Sequence, residues 1–262
     1  MTNSKIETIK IDSIILNKEM PISVYLPYEF NEKGSFPVLY FLHGRNGNEN
    51  IMIDIELHST ADRLIKNKEI KPLIIVCPRI DNSRGINSSL ICENVKDPQG
   101  RIINIGMYED YFITEVIPTI DKSFQTIRNR NGRYIGGASA GGYAALHNAF
   151  RHQNLFSKVG GHMPALELRL EDEDKLYFQN AENWEKYDPI YIARNKKITT
   201  DIQVFLDAGD RDEGGFYEGC SILHEILEAK GIDSQNHLFQ GHHNVEYIKT
   251  NIEKYLKFYG ND

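Results

Sequence analysis

The sequence predicts an α/β domain in which a mostly parallel sheet carries helices on both faces. Strand-like and helix-like segments alternate over most of the 262 residues. Residues 37–42 (PVLYFL) and 72–77 (PLIIVC) are continuously apolar, as expected for strands buried on both faces. A Gly-x-Ser-x-Gly motif at 137–141 also lies between a strand-like and a helix-like segment, which is typical of one class of α/β enzyme.

The elements follow in order along the chain. In the first half we predict an antiparallel pair at 6–11 and 22–26, strands at 37–42 and 72–77, and helices at 49–66 and 108–124. Pro118 is expected to kink or end the last of these helices. In the second half we predict strands at 133–135, 158–162, 202–206 and 236–239, and helices at 144–150, 216–230 and 245–259.

Two segments interrupt this alternation. Residues 79–106 are polar and contain glycine, and we predict a long loop near the site. Residues 163–200 hold the acidic run 171–174 and the single tryptophan, Trp184, and we interpret them as a cap or lid insertion whose acidic run is a solvated face. We therefore expect a single domain over 1–262, with a pocket built by the loop and the insertion.

Composition excludes several functional classes. A net charge of −7 and a pI near 5.7 argue against nucleic-acid binding. The sequence contains no basic amphipathic stretch, so we expect no membrane partner. The N-terminal segment lacks the apolar region of a signal peptide, so we expect a cytoplasmic protein. The three cysteines, Cys77, Cys92 and Cys220, show no paired spacing and suggest neither disulfides nor a metal site. A homo-oligomer is left open.

Ser139 is the candidate nucleophile. The glycines two positions before and after it, Gly137 and Gly141, permit a sharp turn from strand to helix that leaves the serine hydroxyl exposed. This arrangement is the nucleophile elbow of the α/β-hydrolases. The N-terminus of the following helix favours negative charge developing beside the serine.

A serine hydroxyl needs a base to take its proton and an acid to orient that base. The acid is expected after the strand at 202–206, where we favour Asp212, place Asp210 second and assign Asp207 a structural contact. All three could instead be turn-forming carboxylates. The base is expected after the last strand, where we favour His242 over His243 because a glycine precedes it.

Two backbone N–H groups are needed to bind the oxyanion. One is predicted at Ala140, directly after the nucleophile, and the other at Arg45, in the His43-Gly44-Arg45 loop that follows a buried strand. The Arg45 side chain either points into the pocket toward an anionic substrate group or faces solvent.

Five separated motifs now stand in one order, and together they resemble the Putative esterase family. They are Val24-Tyr25-Leu26-Pro27, residues 37–44, residues 137–142, Gly209-Asp210-Arg211-Asp212 and Gly241-His242. The family includes feruloyl, acetyl-xylan and enterochelin esterases, S-formylglutathione hydrolases and mycolyltransferases. The resemblance implies an α/β-hydrolase fold and a serine ester hydrolase that uses neither metal nor organic cofactor. It places the nucleophile at Ser139, the acid at Asp212, the base at His242 and the oxyanion donors at Arg45 and Ala140.

Both neighbours of Ser139 are alanine, whereas the S-formylglutathione hydrolase branch has His and Met there, so the feruloyl or enterochelin type is the closest. The expected ligand is a small-molecule ester. Three alternatives remain, namely an acyltransferase of the same fold, a serine peptidase of the prolyl oligopeptidase type and a non-catalytic binding protein on a hydrolase scaffold.

Overall fold

An eight-stranded sheet forms the centre of the protein, as seen in a computed structural model that describes residues 4–31 and 34–261. The order across the sheet is β1-β2-β4-β3-β7-β8-β9-β10. β1 pairs antiparallel with β2, β2 pairs antiparallel with β4, and the pairs from β4 onward are parallel. The strands are β1 (Lys5–Ser13), β2 (Lys18–Leu26), β3 (Val38–Leu42), β4 (Ile74–Pro78), β7 (Arg133–Ala138), β8 (Lys158–His162), β9 (Gln203–Gly209) and β10 (Asp233–Phe239). This confirms the predicted α/β-hydrolase architecture.

Helices cover both faces of the sheet. They are α1 (Ile51–Asp54), α2 (Leu57–Lys66), α3 (Tyr108–Asp110), α4 (Ile117–Ser123), α5 (Ala140–Arg151), α6 (Lys175–Phe178), α7 (Ala181–Tyr187), α8 (Pro189–Asn195), α9 (Phe216–Ala229) and α10 (Val245–Gly260). Short 3₁₀ turns occur at Tyr28–Asn31, Arg130–Gly132 and Asp172–Asp174, and a π-helical turn at Tyr111–Val116 joins α3 to α4.

Two apolar cores lie on opposite faces because successive strand residues point to opposite sides. In β3, Tyr40 and Leu42 join the core beneath α5 and α9, whereas Leu39 and Phe41 join the core beneath α2 and α10. The continuous apolar run that predicted this strand therefore supplies both cores at once.

Three predicted segments differ in detail. The helix expected at 49–66 is broken into α1 and α2 at Glu56, whose φ of 57° is left-handed. The loop expected at 79–106 contains a two-stranded hairpin, β5 (Glu93–Lys96) with β6 (Ile102–Ile105). Pro118 lies in the first turn of α4, where its missing N–H costs nothing, so it helps to start a helix.

The segment expected as an insertion, 163–200, carries α6, α7 and α8. α8 packs against α5 and α9, so part of this segment belongs to one helical layer of the domain. Across the described ranges, no helix has both the length and the apolar composition of a membrane span.

Candidate active site

Ser139 occupies the turn between β7 and α5. Its backbone has φ 54° and ψ −119°, a conformation that side-chain-bearing residues rarely adopt. The strain is held from both sides, because the Ser139 N–H donates to the His162 carbonyl (3.0 Å) and the Ser139 carbonyl accepts from the N–H of Ala165 (3.1 Å). The geometry is that of a nucleophile elbow, as the motif predicts.

The two motif glycines are required by close backbone approach. A Cβ on Gly141 would lie 2.2 Å from the Leu42 carbonyl oxygen, and one on Gly137 would lie 2.4 Å from the Gly141 carbonyl oxygen. Neither neighbour can move cheaply, because both are main-chain atoms of packed elements. The glycines thus bring α5 against β3 and β7, and Ser139 is held between them.

A hydrogen-bonded chain of three side chains meets at Ser139. Nε2 of His243 lies 2.9 Å from Ser139 Oγ, and Nδ1 of His243 lies 2.8 Å from Asp212 Oδ2. The Asp212 side chain is fully buried, and its Oδ1 accepts from the N–H of Gly214 (2.8 Å). Because Asp212 accepts from Nδ1, Nε2 is left free to take the serine proton.

The turn after β9 and the start of α10 bring this acid and this base together. Asp212 donates its N–H to the Gly209 carbonyl, closing the turn at the end of β9. Asn244, directly after His243, caps α10 by accepting from the N–H of Tyr247 (2.9 Å). This cap fixes the backbone at the start of α10 and so helps to position His243, the residue directly before it.

The prediction that His242 is the base is not supported by the structure. Its Nδ1 contacts Glu213 Oε1 at 2.7 Å and its side chain is 47% exposed, whereas His243 reaches Ser139. The physical reason lies in Gly241, whose backbone packs closely against the turn at Gly209. A Cβ on Gly209 would lie 2.3 Å from the Gly241 carbonyl oxygen. The glycine does not make room for the next imidazole.

Sequence reasoning also missed Glu213. Its Oε2 accepts from the N–H of His243 (3.2 Å) while its Oε1 contacts the His242 ring (2.7 Å). One carboxylate therefore holds two successive residues of the loop at 240–244, between β10 and α10, which we call the base loop. Hydrogen bonds from its own backbone N–H, from that of His243 and from His242 lower the pKa of Glu213 to about 2. Its place in a polar turn resembles that of any solvated carboxylate, so no sequence signal pointed to it.

The other acid candidates lie elsewhere. Asp207 is fully buried and accepts from the hydroxyls of Tyr247 (2.6 Å) and Tyr255 (2.7 Å), while its other oxygen meets Nδ1 of His162 (2.9 Å). It therefore makes a structural contact, as predicted, and links the sheet to α10. Asp210 is exposed and accepts a hydrogen bond from the N–H of Gly241 (2.9 Å) at the start of the base loop.

The two expected oxyanion donors flank the serine. Within the described part of the chain, no hydrogen bond from the N–H of Arg45 or Ala140 to another group is found, so both remain available. A Cβ on Gly44 would lie 3.3 Å from Ser139 Cβ, so the loop carrying Arg45 abuts the nucleophile directly.

His43 braces this loop. Its Nε2 accepts from the N–H of Ile80 (3.0 Å), so the ring proton lies on Nδ1, which donates to the Gly44 carbonyl (2.8 Å). Burial lowers the pKa of His43, which keeps the ring neutral in this role.

The side chain of Arg45 neither enters the pocket as a free cation nor faces solvent. Its guanidinium lies 3.0 Å from Glu173 Oε1 and 3.7 Å from Asp174 Oδ1. The acidic run at 171–174 is consequently not a purely solvated face, because Asp174 is buried against Arg84, with 2.7 Å between Nη2 and Oδ2. Opposite charges hold this acidic run against Arg45 and Arg84, so it is only partly solvated.

A pocket of about 320 Å³ adjoins the serine. The sequence predicted walls from 79–106 and 163–200, but the described lining comes from the loop after β3, α1, the elbow and the start of α10, and 163–200 contributes Met163 alone. The lining residues are Gly44, Arg45, Gly47, Ile51, Asp54, Ile55, Ala138, Ser139, Met163, His243, Asn244, Val245 and Ile248. The base loop and the His43-Gly44-Arg45 loop thus both contribute to the walls of this pocket.

No group of three or more His, Cys, Asp or Glu side chains is placed to bind a metal ion in the ranges that the structure describes. The adjacent pair His242 and His243 is divided between Glu213 and the serine. The histidines of α5 and β8, His147 and His162, are buried and hydrogen-bonded to Glu109 and Asp207.

Comparison with known proteins bears on this geometry. The sequence profile of the family described as "Putative esterase" matches residues 13–259. The chain belongs to this family. A protein of Xylanibacter ruminicola named endo-1,4-beta-xylanase/feruloyl esterase is 26% identical over 238 residues, which is 87% of this chain. The alignment spans 30% of that longer relative.

Solved structures of similar proteins share the fold of this esterase-family chain. A ferulic acid esterase superposes with a TM-score of 0.83 at 23% identity, covering 99% of this chain and 98% of the other. FphF, a fluorophosphonate-binding serine hydrolase of Staphylococcus aureus, gives a TM-score of 0.78 at 18% identity and covers 99% and 100% of the two chains. At these identities the likeness establishes the α/β-hydrolase fold.

Proposed function

We propose that this member of the esterase family is a serine carboxylic-ester hydrolase that works through an acyl-enzyme intermediate. The observation that carries the proposal is the chain of hydrogen bonds from Asp212 through His243 to Ser139, with distances of 2.8 and 2.9 Å. Serine becomes a competent nucleophile only beside such a base, and the base keeps the right tautomer only beside such an acid. Membership of the esterase family supports the same reaction.

In the proposed reaction Ser139 Oγ attacks the ester carbonyl as its proton passes to Nε2 of His243. The negative charge that develops on the carbonyl oxygen is accepted by the N–H groups of Arg45 and Ala140. His243 then protonates the departing alcohol, and Asp212 stabilises the imidazolium in the interim. Water, deprotonated by His243, attacks the acyl-enzyme and releases the acid.

Aryl-substituted acids, of the feruloyl kind, are our first proposal for the acyl group. The pocket walls Ile51, Ile55 and Ile248 are aliphatic and suit a flat apolar body. The relative from Xylanibacter ruminicola carries feruloyl esterase in its name, which favours testing this class first.

The test is the Ser139→Ala variant assayed with 4-nitrophenyl acetate and methyl ferulate. We expect loss of turnover by a factor of about 10³ or more, with an unchanged melting temperature, because only the hydroxyl is removed. Wild-type turnover in this variant would overturn the proposal. Transfer of the acyl group to an added alcohol in preference to water would instead indicate an acyltransferase.

A further inference from the structure

A solvent-exposed carboxylate lines the pocket beside Ser139. Asp54, the last residue of α1, lines the pocket together with the serine. Its carboxylate makes no hydrogen bond or ion pair with any residue in the described ranges. Most other lining positions are apolar or glycine, so the charge of Asp54 stands out against its surroundings.

The cation at the same pocket is already engaged. Arg45 also lines this pocket, but its guanidinium is held by Glu173 and lies near Asp174. Its positive charge is thus engaged in a cluster of ion pairs, in which Glu173 also pairs with Arg101 and Asp174 with Arg84. Among the described lining residues, the only remaining ionisable side chain is His243, which is committed to Asp212 and Ser139.

We propose that Asp54 is a specificity-determining residue that excludes acyl groups bearing a negative charge from this pocket and favours acyl groups bearing a positive one. The inference rests on the proposed ester-hydrolase function, in which the acyl group stays attached to Ser139 Oγ and occupies the adjoining space. An anionic acyl group meets an uncompensated like charge there, whereas a cationic group meets its complement. A neutral apolar chain is accepted by the aliphatic walls.

The experiment compares three 4-nitrophenyl esters whose acyl groups share a four-methylene spacer and end in methyl, carboxylate or trimethylammonium. These are the hexanoate, the adipate monoester and the 5-(trimethylammonio)pentanoate. For Asp54→Asn we expect kcat/KM to rise about fivefold for the adipate, to fall about fivefold for the cationic ester and to stay within about twofold for the hexanoate. Both changes should shrink in high salt, because the pocket opens to solvent.

Glu56→Gln is the matched control. It removes the same charge two residues further on, from a carboxylate that pairs with Lys249 and does not line the pocket. We expect its three values to stay within about twofold of wild type.

The other outcomes separate failure of this inference from failure of the proposed function. If Asp54→Asn changes all three esters alike, or none, while the wild type hydrolyses them, the inference fails and the proposed function stands. An equal charge-dependent shift in Glu56→Gln would also overturn it, since the effect would then belong to the general field. If the wild type hydrolyses 4-nitrophenyl acetate but none of the three esters, the inference fails and the proposed function stands. If it hydrolyses neither these esters nor 4-nitrophenyl acetate and methyl ferulate, the proposed function fails and the inference falls with it.

Discussion

Nε2 of His243 lies 2.9 Å from Oγ of Ser139, although 104 residues separate them in the chain. The serine is held by the elbow between β7 and α5, and the histidine by the cap of α10 and the Glu213 carboxylate. Each of the two residues is therefore held in place by its own backbone turn and hydrogen bonds. The contact forms between the end of β7 and the start of α10.

Asp212→Asn tests the acid. The asparagine can still meet Nδ1 of His243, but it presents either an amide N–H or a neutral oxygen and cannot stabilise the imidazolium. We expect kcat for 4-nitrophenyl acetate to fall by about 10³ to 10⁴, with little change in KM. Asp210→Asn is the control, because Asp210 contacts the Gly241 N–H and does not contact the base, and we expect a change within about threefold. An equal loss in the Asp210 variant would contradict the assignment.

Gly141→Ala tests the packing of the elbow. The new methyl group would meet the Leu42 carbonyl oxygen at 2.2 Å, so α5 must move away from β3. We expect the free energy of unfolding to fall by about 3 kcal/mol or more, measured by urea denaturation. Gly34→Ala, where a Cβ meets no described atom within 4 Å beyond its chain neighbours, should change it by no more than about 0.5 kcal/mol. A tolerated Gly141 variant would show that the elbow is looser than described.

Asp188→Asn tests a buried carboxylate. Asp188 caps α8 through one oxygen, and its other oxygen has no partner in the described structure. Burial raises the pKa of Asp188 to about 7, against opposing hydrogen bonds from the N–H groups of Tyr191 and Ile190. Between the pKa of an unfolded aspartate, near 4, and this value, the folded chain keeps a proton on Asp188 that the unfolded chain has lost. The free energy of unfolding of the wild type therefore falls as the pH rises from about 4 toward 7.

Asparagine keeps the cap but carries no titrating charge. The melting temperature of Asp188→Asn relative to wild type should therefore increase between pH 5 and pH 9, by about 3 °C or more. Scanning calorimetry at the two pH values measures this difference. A relative melting temperature that falls with rising pH would show that the carboxylate is stabilised, not penalised, in its ionised form.

Local sequence patterns were enough to predict the fold and the nucleophile, Ser139, but not the base. The apolar runs at β3 and β4 and the glycines around Ser139 act through neighbours in the chain, so their consequences could be predicted. The choice between His242 and His243 depends on Glu213 and Asp212, which lie in the turn after β9, about 30 residues earlier in the chain. No pattern within the His-His pair encodes that choice.

The side chain of Arg45 illustrates the same limit. Its partner Glu173 lies 128 residues away, in a segment whose acidic run alone predicts solvent exposure. Long-range ion pairs of this kind depend on how loops fold back over the sheet. Their consequence for the pocket, a cation already engaged in ion pairs, could be seen only in three dimensions.

The most direct test of the account compares kcat/KM for 4-nitrophenyl acetate in His243→Ala and His242→Ala. Removing the imidazole that contacts Ser139 should cost a factor of about 10³ or more, whereas removing its exposed neighbour should cost less than about tenfold. Both variants should unfold at temperatures close to wild type. Loss of activity in His242→Ala with retained activity in His243→Ala would show that His243 does not activate Ser139.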